Sequence, residues 1–151
     1  MIRRSLHDRQ GHAEMMARLS SLRLDSRRQW GTMEVGQMLA HCQVAMHVAL
    51  GELQLKRGIV GILFGGIAKR QLLAPKPWGH GMPTAPEFRI RDPRDFSAEH
   101  EAMLELLRRY GRGGPAALTK EPHPFFGRLS VEQWDALQWR HLDHHLRQFG
   151  V

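Results

Sequence analysis

His141 and His145 stand four residues apart in His141-Leu142-Asp143-His144-His145. On an α-helix that spacing puts both imidazoles on one face, with their β-carbons about 6 Å apart. A divalent cation can bridge two such rings. His41, in Met38-Leu39-Ala40-His41, is the natural third ligand if its helix packs alongside. Three histidines leave coordination positions open, which points to a catalytic or binding site rather than a closed structural one. No acidic residue follows His141 in the His-Glu-x-x-His manner, so a zincin-type protease is not expected.

Helical periodicity dominates the elements that must position these rings. A first helix is expected from about Asp8 to Leu22, capped by Ser5, with Met15, Met16, Leu19 and Leu22 as its apolar positions. A second runs from about Met33 to Leu55 with Thr32 as N-cap. Its stripe is Val35, Met38, Leu39, Cys42, Met46, Ala49, Leu50 and Leu53. The apolar run Ile59–Leu73 reads as a short helix loosened by Gly61, Gly65 and Gly66. Five of the eight prolines fall between Ala74 and Phe96, so that stretch is no regular helix. A connection of this length packs against something or covers a site. A further helix starts after Ser97 and stops at Gly111. The last opens on the capping box Ser130-Val131-Glu132-Gln133 and ends near Phe149-Gly150. The sum is an all-α chain, one domain over residues 1–151, with four main helices and a long proline-rich crossover between the second and third.

On a wheel of about 100° per residue, Trp134, Leu137, Gln138, His141, His144, His145 and Gln148 share one side of the last helix. Its inward face therefore turns polar towards its C-terminal end. Asp143 and Arg147 point the other way, towards solvent, and Trp139 and Arg140 project away from the histidine face and could contribute to a partner surface. Burying several imidazoles without partners is costly, and a metal or a wet cavity would resolve that cost. If the second and last helices run antiparallel, His41, His141 and His145 lie at similar height. By the same rise, His123 sits at the far end of the last helix and reads as an anchor, with Phe125 and Phe126 plugging the bundle. Trp78, His80 and Met82 are placed to line a pocket mouth or to pack. Cys42 reads as a small buried core residue, and His47 and His100 as helix-surface histidines.

Composition bounds the rest. Apolar residues make up 42% and charged ones 25%, as in ordinary globular domains. The single cysteine allows no internal disulfide and fits a reducing, cytoplasmic compartment. The opening Ile2-Arg3-Arg4-Ser5 is not that of a signal peptide. The net charge of +7 comes from dispersed basic residues, which reads as a solvated basic surface rather than a nucleic-acid site. Lys56-Arg57 and Lys69-Arg70 flank the apolar run 59–68, and such a segment could lie on a membrane. That reading ranks last, because the run reads equally well as an element packed on the bundle. Neither nucleic acid nor membrane is expected as a partner.

Several motifs in order carry a resemblance: Gln29-Trp30-Gly31-Thr32-Met33, Gln37-Met38-Leu39-Ala40-His41, Lys76-Pro77 with Pro83-Thr84-Ala85-Pro86-Glu87-Phe88, His123-Pro124-Phe125-Phe126-Gly127, and His141 to Phe149. Through them nearly the whole chain resembles the DinB-like superfamily of small bacterial four-helix bundles, in an uncharacterised branch, a domain-of-unknown-function family. The resemblance implies a bundle that is often a homodimer. It implies a metal triad of one histidine from the second helix and a His-x-x-x-His pair from the last, here His41, His141 and His145, with zinc or nickel as occupant. It also implies a small-molecule substrate: better-understood relatives are metal-dependent transferases and isomerases that use low-molecular-weight thiols. The expected function is a metal-dependent thiol S-transferase or hydrolase, with His144 or Gln148 orienting substrate or moving a proton. The alternative is a non-catalytic metal- or small-ligand-binding stress protein.

Overall fold

The computed structural model describes residues 4–151, so the polar opening read at Ile2 and Arg3 lies outside the described residues. These residues form five α-helices and no strand: α1 Arg9–Ser20, α2 Val35–Ala49, α3 Ile59–Leu73, α4 Phe96–Gly113 and α5 Val131–Gln148, with 3-10 turns at Pro86–Phe88 and Pro115–Ala117. No helix among them is long and apolar enough to cross a membrane. α1 and α2 each pack against both α4 and α5, while α3 rests on α5. The long crossover thus carries a fifth helix.

Local chemistry sets the helix ends. The Asp8 side chain accepts from Gly11 N and caps α1, while the expected cap, Ser5, bonds the amides of His7 and Asp8 one step earlier. The N-cap of α2 is Glu34 rather than Thr32, and the Gln37 side chain reaches back to the Glu34 amide. The helix ends at Ala49, short of Leu55. Gly51 takes a positive φ of 72°, the chain leaves the helix axis, and the Ala49 carbonyl accepts from Thr119 N. Asp95 caps α4, which runs past Gly111 to Gly113. At Gly111 a β-carbon would lie 2.6 Å from His12 Nε2, so this glycine provides room for a ring rather than a stop. α5 has the expected reciprocal cap between Ser130 and Gln133, a device that contributes about 1 kcal/mol.

The core joins Met15 and Leu19 of α1, Met38, Leu39 and Met46 of α2, Met103, Leu107 and Tyr110 of α4, and Trp134, Leu142 and Leu146 of α5. α5 is the central element. Besides its histidine side it buries a second stripe of Asp135, Trp139, Leu142 and Leu146. Trp139 is therefore interior, not a partner surface, and the Arg4 guanidinium lies over its ring. Asp143 is not free in solvent either, since Arg18 holds its carboxylate at 2.8 Å. His100 reaches inward to the Leu19 carbonyl at 2.7 Å. Asp135 ties down the N-terminal segment by accepting from Leu6 N (3.1 Å) and from the Tyr110 hydroxyl (3.4 Å).

Candidate functional site

The approach to α2 meets the end of α5, where Gln29 N donates to the Gln148 carbonyl at 2.7 Å. This brings the second turn of α2 level with the last turns of α5. His41, His141 and His145 come together there, with one ring nitrogen from each within 4.8 Å of the others. The ring centroids of His145 lie 4.7 Å from those of both His41 and His141. This buried group could hold a metal ion.

Two of the three rings have their tautomer set by what they touch. His41 Nδ1 lies 2.7 Å from the Phe88 carbonyl. A carbonyl only accepts, so Nδ1 carries the proton and donates, and Nε2 presents its lone pair. His145 Nδ1 lies 2.8 Å from Gln148 Oε1. The Gln148 amide is oriented in turn by Trp30, whose carbonyl accepts from Nε2 at 2.9 Å. His145 Nδ1 therefore donates, and its Nε2 lone pair is free. Nδ1–H held by a carbonyl or amide oxygen is the usual support of a metal-binding imidazole.

His41 Nε2 and His141 Nε2 are 2.9 Å apart. That is a hydrogen-bond distance, and the same rings could instead be shared by one ion. Without an ion, His141 Nε2–H donates to the lone pair of His41. In either case His141 Nδ1 is buried with no hydrogen-bond partner. All three rings stay neutral at neutral pH. Burial lowers the pKa of His41, lowers that of His141 further with help from His145 and His41, and takes His145 down to about 3.

The group sits beneath an aromatic cover. Trp30 and His80 stack face to face with centroids 3.7 Å apart. Trp78 lies against His141 and His144 at 6.1 and 5.8 Å. The proline-rich crossover holds Trp78 in place: its Nε1 donates to the Leu72 carbonyl, and Arg140 donates to the Lys76 carbonyl. The same crossover supplies the Phe88 carbonyl to His41, so it covers and orients the site. Met82, by contrast, is exposed. On the outer side, Trp30, Trp78, His80, Arg140 and His144 line an open cleft of about 1260 Å³. His41, His141 and His145 do not line it. His144 is the histidine that meets both sides, with its ring 5.1 Å from that of His145. Burial, and then the proximity of His80, lower its pKa. Gln148 does not line the cleft and is 3% exposed.

His123 stays near the start of α5, stacked among Phe88, Phe126 and Trp134. Its Nδ1 accepts from the amides of Phe125 and Phe126, which leaves the proton on Nε2. Burial, with Arg57 nearby, takes its pKa down to about 4. Cys42 lies in the core beside Met38, and burial pushes its thiol pKa up. His47 sits partly exposed beside Glu52.

Sequence reasoning missed Phe88 and Gly31 as parts of this site. Phe88 acts through its backbone carbonyl, which no side-chain pattern reveals. Gly31 has φ 79°, and a β-carbon there would stand 2.5 Å from Gln148 Nε2. A Trp-Gly pair just ahead of a helix start was its visible signal. No curated protein and no solved structure matches the chain. One family model does, over residues 67–150, more than half of the sequence and including the crossover, His123 and both histidines of α5. The chain belongs to the family described as a protein of unknown function, DUF1569.

Proposed function

We propose that this chain is a metal-dependent enzyme on a DinB-like four-helix bundle of α1, α2, α4 and α5, in which His41, His141 and His145 hold one divalent cation. The observation that carries the reading is the pair of tautomer-setting contacts, Phe88 O to His41 Nδ1 and Gln148 Oε1 to His145 Nδ1. Both aim Nε2 lone pairs into a group whose third ring, His141, has a buried nitrogen unpartnered. Zinc or nickel suits such imidazole ligands. A bound cation supplies Lewis acidity, which lowers the pKa of a coordinated water or thiol.

The chain's own residues would do the rest. Gln148 positions His145. His144, between the histidine group and the open cleft, is placed to orient a substrate or hold a proton. The cleft beside a neutral histidine favours a small-molecule reaction, either thiol S-transfer or hydrolysis. A homodimer working in the cytoplasm completes the reading; the lone buried cysteine fits a reducing compartment. A second reading is a non-catalytic metal- or ligand-binding stress protein. It is favoured by the fact that none of the three grouped histidines lines the cleft.

The test is elemental mass spectrometry on tag-free protein purified without added metal or chelator, beside His41→Ala. Near-stoichiometric metal, lost in a variant that keeps its helical circular dichroism, is the expected result. An unchanged stoichiometry removes His41 from the site. No metal in the wild type, even after reconstitution, overturns the reading.

A further inference from the structure

The apolar run on α3 packs the opposite way from what its hydropathy suggests. At about 100° per residue, Gly61, Gly65 and Leu72 fall together on one side, and these are the buried residues of the helix. Gly65 meets the Phe125 backbone so closely that a β-carbon would lie 2.1 Å from its carbonyl oxygen, and Gly61 approaches the same residue at 3.0 Å. The glycine edge is thus the seat of the helix. Its large side chains consequently face out: Ile59, Val60, Ile62, Leu63, Phe64 and Ile67 are each 55–75% exposed. Single exposed apolar residues are ordinary, but six contiguous ones on one helix mark an interaction surface.

Charge selects the occupant. Residues 53–86 contain five Lys or Arg and no Asp or Glu. Lys56 and Arg57 stand at one end of α3, and Lys69 and Arg70 at the other. None of these four is ion-paired among the described residues. A second copy docked on this face would bring two identical cationic rims together. Nucleic acid offers no surface for isoleucine, leucine and phenylalanine. An anionic bilayer satisfies both features at once, with acyl chains for the apolar face and headgroup charge for its ends.

We propose that the outward face of α3 docks the protein peripherally on an anionic lipid surface. The residues that enter are Ile59, Leu63, Phe64 and Ile67, with Lys56 and Arg70 at the headgroups. The contact is reversible and salt-sensitive, because four exposed or half-exposed cations are screened by added ions.

Co-sedimentation with vesicles tests this on the full chain. One set is phosphatidylcholine alone, and the other is equal parts phosphatidylcholine and phosphatidylglycerol, each at low and high salt. Binding to the anionic vesicles at low salt is expected, weaker by about tenfold or more on the neutral ones or in high salt. Phe64→Glu lies on an exposed position and keeps its helical circular dichroism, and it should lose about tenfold or more of the binding. Light scattering on the same samples reports the oligomeric state. Failure to bind either vesicle, equal binding to both, or unchanged binding of Phe64→Glu overturns the proposal. So does a dimer that Phe64→Glu splits into monomers, since a second copy would then cover the face.

Discussion

Replacing Gln148 by methionine removes two hydrogen bonds and almost no volume. The side chain is 3% exposed, accepts from His145 Nδ1 at 2.8 Å and donates to the Trp30 carbonyl at 2.9 Å. Methionine fills the same space and does neither. Two consequences separate. For folding, the buried His145 N–H loses its acceptor, a cost of about 1–3 kcal/mol. The Trp30 carbonyl, on a partly exposed residue, has water within reach and costs less. A total of about 2–3 kcal/mol is expected, read from the denaturant midpoint of metal-free protein. For metal binding, His145 loses the contact that sets its tautomer and ring angle. Losses of this kind weaken affinity by about 10–100-fold, measurable by competition with a chromophoric zinc chelator. Gly31→Ala approaches the same point without removing a polar group. Its β-carbon would press on Gln148 Nε2, and φ 79° adds strain of about 1–2 kcal/mol. It should weaken zinc binding in the same direction and by less. If Gln148→Met binds zinc as tightly as the wild type, His145 is not held by Gln148 for that purpose and the supporting-contact argument fails.

Acid should destabilise the metal-free protein. His145 and His123 have folded pKa values of about 3 and 4 against 6.5 when unfolded, so the unfolded chain binds the extra protons. Stability is fully present above about pH 6.5 and is lost as pH falls below it, at up to about 2.7 kcal/mol per pH unit for two such groups. A urea midpoint that does not move between neutral pH and about pH 5 would contradict the buried neutral state of these rings. Gly65→Ala should cost about 1–3 kcal/mol, because its β-carbon collides with the Phe125 carbonyl; a thermal melt matching the wild type would mean that α3 does not seat there. Asp135→Ala strands two donors, Leu6 N and the Tyr110 hydroxyl, and should cost about 3 kcal/mol. Asp135→Asn, which keeps an acceptor, should cost clearly less in the same melt.

The readable parts of the fold were those in which one interaction decides an element. α5 has a complete Ser130/Gln133 box and no competing stop before Phe149, and its expected limits held. α3 is bounded by Gly58 and by Ala74-Pro75, and its limits held too. Where two signals competed, the pattern misled. The apolar spacing of α2 continues through Leu53, yet Gly51 turns the chain first and leaves Leu53 36% exposed. Gly111 resembled a terminus because its other use, admitting the His12 ring, depends on a helix packed from far away in sequence. Within the site, the i, i+4 pair was legible from helix geometry, whereas its convergence with His41 followed only on the condition that the second and last helices run antiparallel, and the family resemblance implied the same three residues. The Phe88 carbonyl was not, since a backbone acceptor leaves no mark in residue type.

α3 raises a more general point about apolar segments. The apolar run reads equally well as an element packed on the bundle or as one lying on a membrane, because bulk alone does not say which side packs: the side of a helix that packs is the side that can come close. Gly61-x-x-x-Gly65 lets the helix backbone reach the backbone of Phe125, a contact no larger residue permits. Once the glycines are seated, helical geometry sends the isoleucines and Phe64 outward. The turn that receives them also bears on the histidines. His123, two residues before Phe125, stacks on Phe88, and the Phe88 carbonyl sets the tautomer of His41. The glycine seat of α3 and, through Phe88, the ring of His41 are therefore both tied to the His123–Gly127 turn. A substitution that shifts this turn acts on the seat of α3 and, through Phe88, on the orientation of His41. A loss of zinc affinity at Gly65→Ala would therefore not by itself make Gly65 part of the metal site.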